Sequence, residues 1–149
     1  MNISENIKKI HEEVTTWRHE LHANPELCYE ENWTAEFIAE KLKSFGIEVH
    51  NKIGKTGVIG VLKGSNSQEH KSNRSIGLRA DMDALPIEEE NDFDYKSKFL
   101  GKMHACGHDG HVAMLLGAAK ILSKEKKFSG TVYFIFQPAE EGGGGGLKM

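Results

Sequence analysis

The chain reads as an α/β domain in which helices are layered on a sheet. Two observations predict this. Amphipathic helical stripes alternate with apolar, β-rich runs, and acidic clusters follow two of those runs. All 149 residues are expected to belong to one domain. Ile3, Ile7, Ile10, Val14, Trp17 and Leu21 recur at spacings of three and four, one stripe of a first helix. It should end near His22-Ala23-Asn24, because Pro25 disfavours helical geometry in the residue before it. A second helix is expected from Glu30 to Phe45, with Trp33, Phe37, Ile38, Leu42 and Phe45 inward and Gly46 as its C-terminal cap. Ile47 to His50 alternates as a short strand, and Val58 to Leu62 reads as its hairpin partner. Gly64 to Asn73 is polar and predicts an exposed loop. Ser75 to Ala80 reads as a strand running into Asp81-Met82-Asp83, and Pro86 to Lys102 as irregular chain. A helix from about Asp109 carries Val112, Leu115, Leu116, Ala119 and Leu122. Thr131 to Phe136, nearly all apolar, suits a buried central strand.

Composition excludes several function classes. Net charge is -3, from 19 basic and 22 acidic residues, too balanced for a nucleic-acid surface. No apolar run approaches the roughly 20 residues that a membrane span needs. The N-terminal residues lack the basic start and apolar core of a signal peptide, so a cytoplasmic location is expected. In that reducing setting Cys28 and Cys106 are expected as a free thiol or a metal thiolate.

The chemistry concentrates in His104-Ala105-Cys106-Gly107-His108-Asp109-Gly110-His111. Sulfur, imidazole and carboxylate are the ligand types that divalent transition metals accept. Cys106 and His108 are two residues apart, which lets both side chains face one side, and they are read as a ligand pair. His104 is either a supporting residue or exposed, and His111 is expected to pack or hydrogen-bond nearby. Glu140 and Glu141 are adjacent, so in extended chain they point to opposite sides. On a turn, one could bind a metal while the other takes a proton from metal-activated water. A solvated acidic turn is the alternative, opposed by the preceding apolar strand, Pro138 and the following glycines. Gly142 to Gly146 lacks the Gly-Lys-Ser/Thr ending of a nucleotide loop, and a close backbone approach to the site is the better reading. Asp83 fits a role in orienting a ligand histidine, with solvated strand-end acids as the alternative for Asp81 and Asp83. Cys28 receives no function. Open α/β sheets bind ligands beyond the carboxyl ends of their strands, where these clusters could converge.

Four collinear segments carry a resemblance. They are Arg18-His19-Glu20-Leu21-His22 with Pro25-Glu26-Leu27, Leu78 to Ile87, His104 to Ala119, and Phe136 to Gly144. Together the sequence resembles the M20 metallopeptidase family, in particular its amidohydrolase branch. That resemblance implies a layered, zinc-peptidase-like catalytic domain with a paired metal site, interrupted by a smaller lid domain that often mediates dimers. It implies Cys106 as a bridging thiolate, His108 and Glu141 as ligands of one ion each, Glu140 as general base and Asp83 as the acid that supports the site. Asp81 stands where the wider family has a histidine, as the amidohydrolase branch would have it. Two divalent ions are implied, of zinc, manganese, cobalt or nickel, with an N-acyl amino acid as substrate and a homodimer formed through the lid.

Family members supply two further histidine ligands after the glycine run, and none follows it here before Met149. The chain is therefore expected to be the N-terminal part of the catalytic domain, without the lid, and inactive by itself. The rival reading is a non-catalytic remnant that binds metal weakly or not at all. A structural zinc module, which needs four closely spaced ligands, is disfavoured by the distant glutamate pair.

Overall fold

A computed structural model describes residues 5–65 and 74–149. The elements are α1 (Glu5–Lys8), α2 (His11–Ala23), α3 (Asn32–Ser44), β1 (Glu48–Ile53), β2 (Gly57–Lys63), β3 (Ser75–Asp81), α4 (His108–Glu125), β4 (Thr131–Gln137) and α5 (Gly145–Lys148). The strands form one four-stranded sheet in the order β1-β2-β4-β3. β1–β2 and β2–β4 are antiparallel, and β3–β4 is parallel. A tight hairpin suffices for the β1–β2 pair, whereas a parallel pair needs a long crossover. Residues 82–130, with α4 inside them, supply it.

That crossover decides where the chemistry sits. β3 and β4 run in register from Ser75 opposite Thr131 to Asp81 opposite Gln137. Their carboxyl ends are therefore level, and Met82 N–H donates to the Gln137 carbonyl just beyond them (3.1 Å). Residues 81–83 and 138–141 must leave the sheet side by side. α4 runs back along the sheet, so its N-terminus returns to the same end.

The core lies between the sheet and α2, α3 and α4. It gathers Trp17, Leu21, Phe37, Ile38, Leu42, Val58, Val112, Leu116, Phe134 and Phe136, among others. β4 is interior to the sheet, as its composition predicts, but its burial alternates. Val132, Phe134 and Phe136 face the helices, while Tyr133 on the other face is exposed. No helix among the described residues is long and apolar enough to cross a membrane.

Several sequence expectations shift. Ile3 and residues 66–73 of the expected loop lie outside the described residues. The first stripe is not one helix: Lys9 and Ile10 form a turn between α1 and α2, with Ile10 at φ -107° and ψ 0°. The break lets Ile10 turn inward while Ile7, on the same stripe, stays about half exposed. Trp33 is also not inward. Thr34, one position on, takes the buried place at the start of α3, and the Trp33 indole stacks on Phe37 with ring centroids 5.3 Å apart. The glycine run does make a close backbone approach. A Cβ at Gly145 would stand 1.7 Å from the Pro138 carbonyl oxygen, so only glycine lets the chain fold back onto the turn after β4.

Phe134 is fully buried at the centre of β4, one of the two interior strands. Replacing it by Ala should cost about 3–5 kcal/mol through lost transfer energy and the cavity left behind. Urea unfolding of the two proteins measures this directly, and a cost below ~1 kcal/mol would mean that the core is not organised around β4.

Candidate metal centre

Each side chain of the site is placed by a local feature. Gly107 adopts φ +87°, a left-handed conformation that a residue with a Cβ resists. The chain turns there, leaving Cys106 exposed outside the helix and His108 buried as the first residue of α4. Asp81 and Asp83 are separated by one residue and share a side of the extended chain. Both are almost fully buried, at 5% and 1% exposure, which removes the solvated-acid alternative. Ala139 takes a positive φ of 50°, an unusual conformation for a non-glycine, and it bends the chain so that Glu140 and Glu141 turn back toward His108.

The result is one compact cluster. A ligand atom from each of Cys106, His108 and Glu141 lies within 4.8 Å of the others, and a second trio, Asp81, His108 and His111, meets the same criterion. His108 is the shared member. Its Nδ1 donates to the Asp83 carbonyl oxygen (2.9 Å) and lies 3.3 Å from the Asp83 carboxylate. A proton on Nδ1 leaves the lone pair on Nε2, the form a metal ligand needs. Nε2 stands 3.6 Å from Asp81 Oδ1, 3.8 Å from Glu141 Oε1 and 3.9 Å from Glu140 Oε2. These gaps exceed hydrogen bonds. They fit donors arranged about one ion, since ligands roughly 2 Å from a tetrahedral ion stand roughly 3.4 Å apart. Glu141 Oε1 is buried and has no hydrogen-bond partner, an orphan that a cation would satisfy.

The electrostatics agree with that gap. Burial alone would raise the Asp83 carboxyl, but His108, the backbone N–H of Glu141 and the Cys28 thiol hold it well below the usual carboxylate range. Burial also opposes a charge on His108, and Asp83 and Asp81 raise it nonetheless. The Cys106 thiol is pushed up chiefly by the Glu141 carboxylate beside it. A bound cation would reverse that effect, because metal coordination deprotonates a thiol.

The remaining histidines of the motif separate. His111 hydrogen-bonds Asp81 Oδ1 through Nδ1 (2.6 Å), and Arg79 holds the other Asp81 oxygen (2.8 Å). His104 is buried, neither of its ring nitrogens has a partner, and burial pushes its pKa down to about 4. It is a neutral ring in the wall, not an exposed group.

Sequence reasoning missed a buried network directly behind the site. His22 Nδ1 donates to Asp109 Oδ2 (2.6 Å) and Nε2 to Glu89 Oε1 (2.9 Å), while Arg18 Nε pairs with the same Asp109 oxygen (2.9 Å). The local signal was the four-residue spacing of Arg18 and His22 on one helix face. Their carboxylate partners lie 67 and 87 positions from His22, beyond the reach of any pattern.

Comparison with known proteins follows the same lines. Residues 77–149 match the model of peptidase family M20/M25/M40. The chain is 52% identical over 149 residues to a hippurate hydrolase of Campylobacter jejuni, covering 100% of this chain and 37% of that protein. It is 49% identical over 142 residues to an N-acyl-L-amino acid amidohydrolase of Geobacillus stearothermophilus, covering 92% of this chain and 37% of that one. A solved dinuclear metal binding peptidase of the M20 family from Bacillus subtilis superposes with a TM-score of 0.87 at 41% identity, over 95% of this chain and 39% of that chain. The chain thus spans well under half the length of these three relatives.

The His22 network should make stability depend on pH. The Asp109 hydrogen bond raises the His22 pKa against the opposing effect of burial. Its stabilisation is complete below the unfolded value of about 6.5 and fades as pH rises through the folded value. Asp109 and Glu89 are lowered against the opposing effect of burial, so their share is present above ordinary carboxylate values and is lost on acidification. His22→Gln should cost about 3 kcal/mol near pH ~6 by leaving the buried Glu89 carboxylate without its charged partner. It should also flatten the decline from pH ~6 to pH ~9. Urea unfolding across that range reads both, and parallel curves for the two proteins would contradict the assignment.

Proposed function

Because this chain belongs to the peptidase family M20/M25/M40, we propose that it supplies the metal-binding and proton-transfer groups of an amidohydrolase acting on N-acyl amino acids. The observation that carries this reading is the convergence of Cys106, His108 and Glu141 within 4.8 Å, with Glu141 Oε1 buried and unpartnered. Cys106, His108 and Glu141 are the proposed ligands. The description of the Bacillus subtilis relative as dinuclear supports a pair of divalent cations. Bound there, such cations would supply Lewis acidity to a scissile carbonyl and to water.

The remaining chemistry belongs to the chain's own carboxylates. Glu140 is the half-exposed member of the acidic pair, with its Oε2 3.9 Å from His108 Nε2. It is the proposed general base: it takes a proton from water and returns it to the leaving amine. Glu141 is more buried, and its backbone N–H donates to Asp83 (2.9 Å), which fixes it and leaves Glu140 free to move a proton. Asp83 holds the His108 ring through Nδ1 and so directs Nε2 into the cluster. Asp83 is therefore a positioning residue.

A second reading, a cation-binding chain without turnover, is favoured by one observation. Cys106, His108 and Glu141 are three donors, enough for one ion with an open position and sparse for two. The two readings part in a single experiment. This chain, carried in a protein of the full length of the relatives it matches, is loaded with zinc, manganese, cobalt or nickel, and the release of free amino acid from a panel of N-acyl amino acids is followed. Hydrolysis by the loaded protein supports the enzyme, while cation uptake without release supports the binding protein. Glu140→Gln should retain cation uptake and lower hydrolysis by about 10²–10⁴-fold. Undiminished hydrolysis would remove Glu140 from the mechanism.

A further inference from the structure

The short segment from Glu26 to Glu31, between α2 and α3, touches the two segments that carry the acidic groups of the metal centre, the residues after β3 and those after β4. The Glu26 carboxylate accepts the N–H groups of Trp33 (3.1 Å) and Thr34 (2.8 Å) and so caps α3. The Glu26 carbonyl accepts Ala84 N–H (2.8 Å), next to Asp83. The Cys28 thiol donates to Asp83 Oδ2 (3.1 Å), the oxygen that also accepts Glu141 N–H. Tyr29 adopts a positive φ of 62° and donates its hydroxyl to the Gly143 carbonyl (2.5 Å). Glu31 is fully buried: one oxygen accepts Ala139 N–H (2.9 Å) and the other the Thr56 hydroxyl (2.6 Å).

We propose that Cys28 and Glu31 are positioning residues of the metal centre, Cys28 by fixing Asp83 and Glu31 by fixing the turn that aims Glu140 and Glu141. This rests on the metal-centre reading above.

Glu31 carries most of the argument. Burying a carboxylate without a cation beside it is costly, and its two hydrogen bonds only partly offset that. Hydrophobic packing at this place would cost less, so the position needs an acceptor. The acceptor it provides holds the N–H of Ala139, the residue with the unusual positive φ. Backbone in such a conformation persists only where surrounding groups over-determine it. Ala139 immediately precedes Glu140, so the Glu31 bond sets the direction in which the acidic pair leaves the strand. Cys28 acts one link further back. Asp83 Oδ2 receives both the Cys28 thiol and the Glu141 amide, so the same carboxylate ties the Glu141 backbone to the orientation of His108. Burial pushes the Cys28 thiol up to about 11, so it remains a hydrogen-bond donor at neutral pH. Cys28 belongs to neither group of convergent ligand atoms, which leaves support as its role.

The test titrates Co(II) into the metal-free 149-residue protein and follows affinity and the thiolate-to-cobalt charge-transfer band, with circular dichroism confirming the fold. Cys28→Ala and Glu31→Ala should bind Co(II) about 10–100-fold more weakly than the wild type. Cys28→Ser keeps a donor and Glu31→Gln keeps an acceptor, so both should recover most of the affinity. A purely structural role would lower the unfolding midpoint yet leave the affinity of the folded protein unchanged. Folded Ala variants with wild-type affinity and spectrum would overturn the proposal. Should Glu31→Ala fail to fold, Cys28→Ala decides by the same criterion. A wild-type protein that takes up no Co(II) removes the metal centre itself, and the proposal with it.

Discussion

The in-register parallel pairing of β3 with β4 is the constraint on which the candidate site depends. A parallel pair cannot be joined by a tight turn, so the chain between the two strands must travel the length of the sheet and return. Here the return is made by α4, and the geometry leaves three chain segments at one end of the sheet: the residues after β3, the N-terminus of α4 and the residues after β4. A slip of one residue in that register would turn Asp81 and Asp83 to the other face. The site is thus a property of strand pairing before it is a property of any ligand.

Within the frame, Asp83 does what no ligand can do for itself. Its carbonyl and carboxylate face His108 Nδ1, and its other carboxylate oxygen binds the Glu141 amide and the Cys28 thiol. Three hydrogen-bonding groups from distant parts of the sequence therefore converge on one residue. The same contacts keep it ionised despite near-complete burial, because each of them favours the charged form. A second buried network, His22 between Asp109 and Glu89, holds the second residue of α4. His108 and Glu141 are accordingly held by a neighbour that is itself hydrogen-bonded, the arrangement that metal sites require of their outer residues.

Much of this was legible in the residues. The stripe in α3, the hairpin of β1 and β2, the strand after Arg74 and the apolar run of β4 all carry their period openly. Cys106 and His108 are close in sequence, so bringing their side chains together needs only a turn between them. Trp33 and Ile7 show where an apolar period stops reporting burial. Both lie on apolar stripes, yet each sits at the end of an element, where the neighbouring layer no longer covers the face. Periodicity tells which side a residue takes on its helix and not how far the partner surface extends.

What the sequence determined by itself was the inventory: the fold class, the donor types and the two segments that bear them. What only the tertiary structure decided was the pairing of groups far apart in the chain. Glu31 reaches Ala139 across 108 positions, Cys28 reaches Asp83 across 55, and His22 reaches Asp109 across 87. A local pattern reports on energies within a turn or a strand, over a few residues. These contacts exist because the fold brings separate segments to one sheet end, and their strength comes from burial that no single segment can provide.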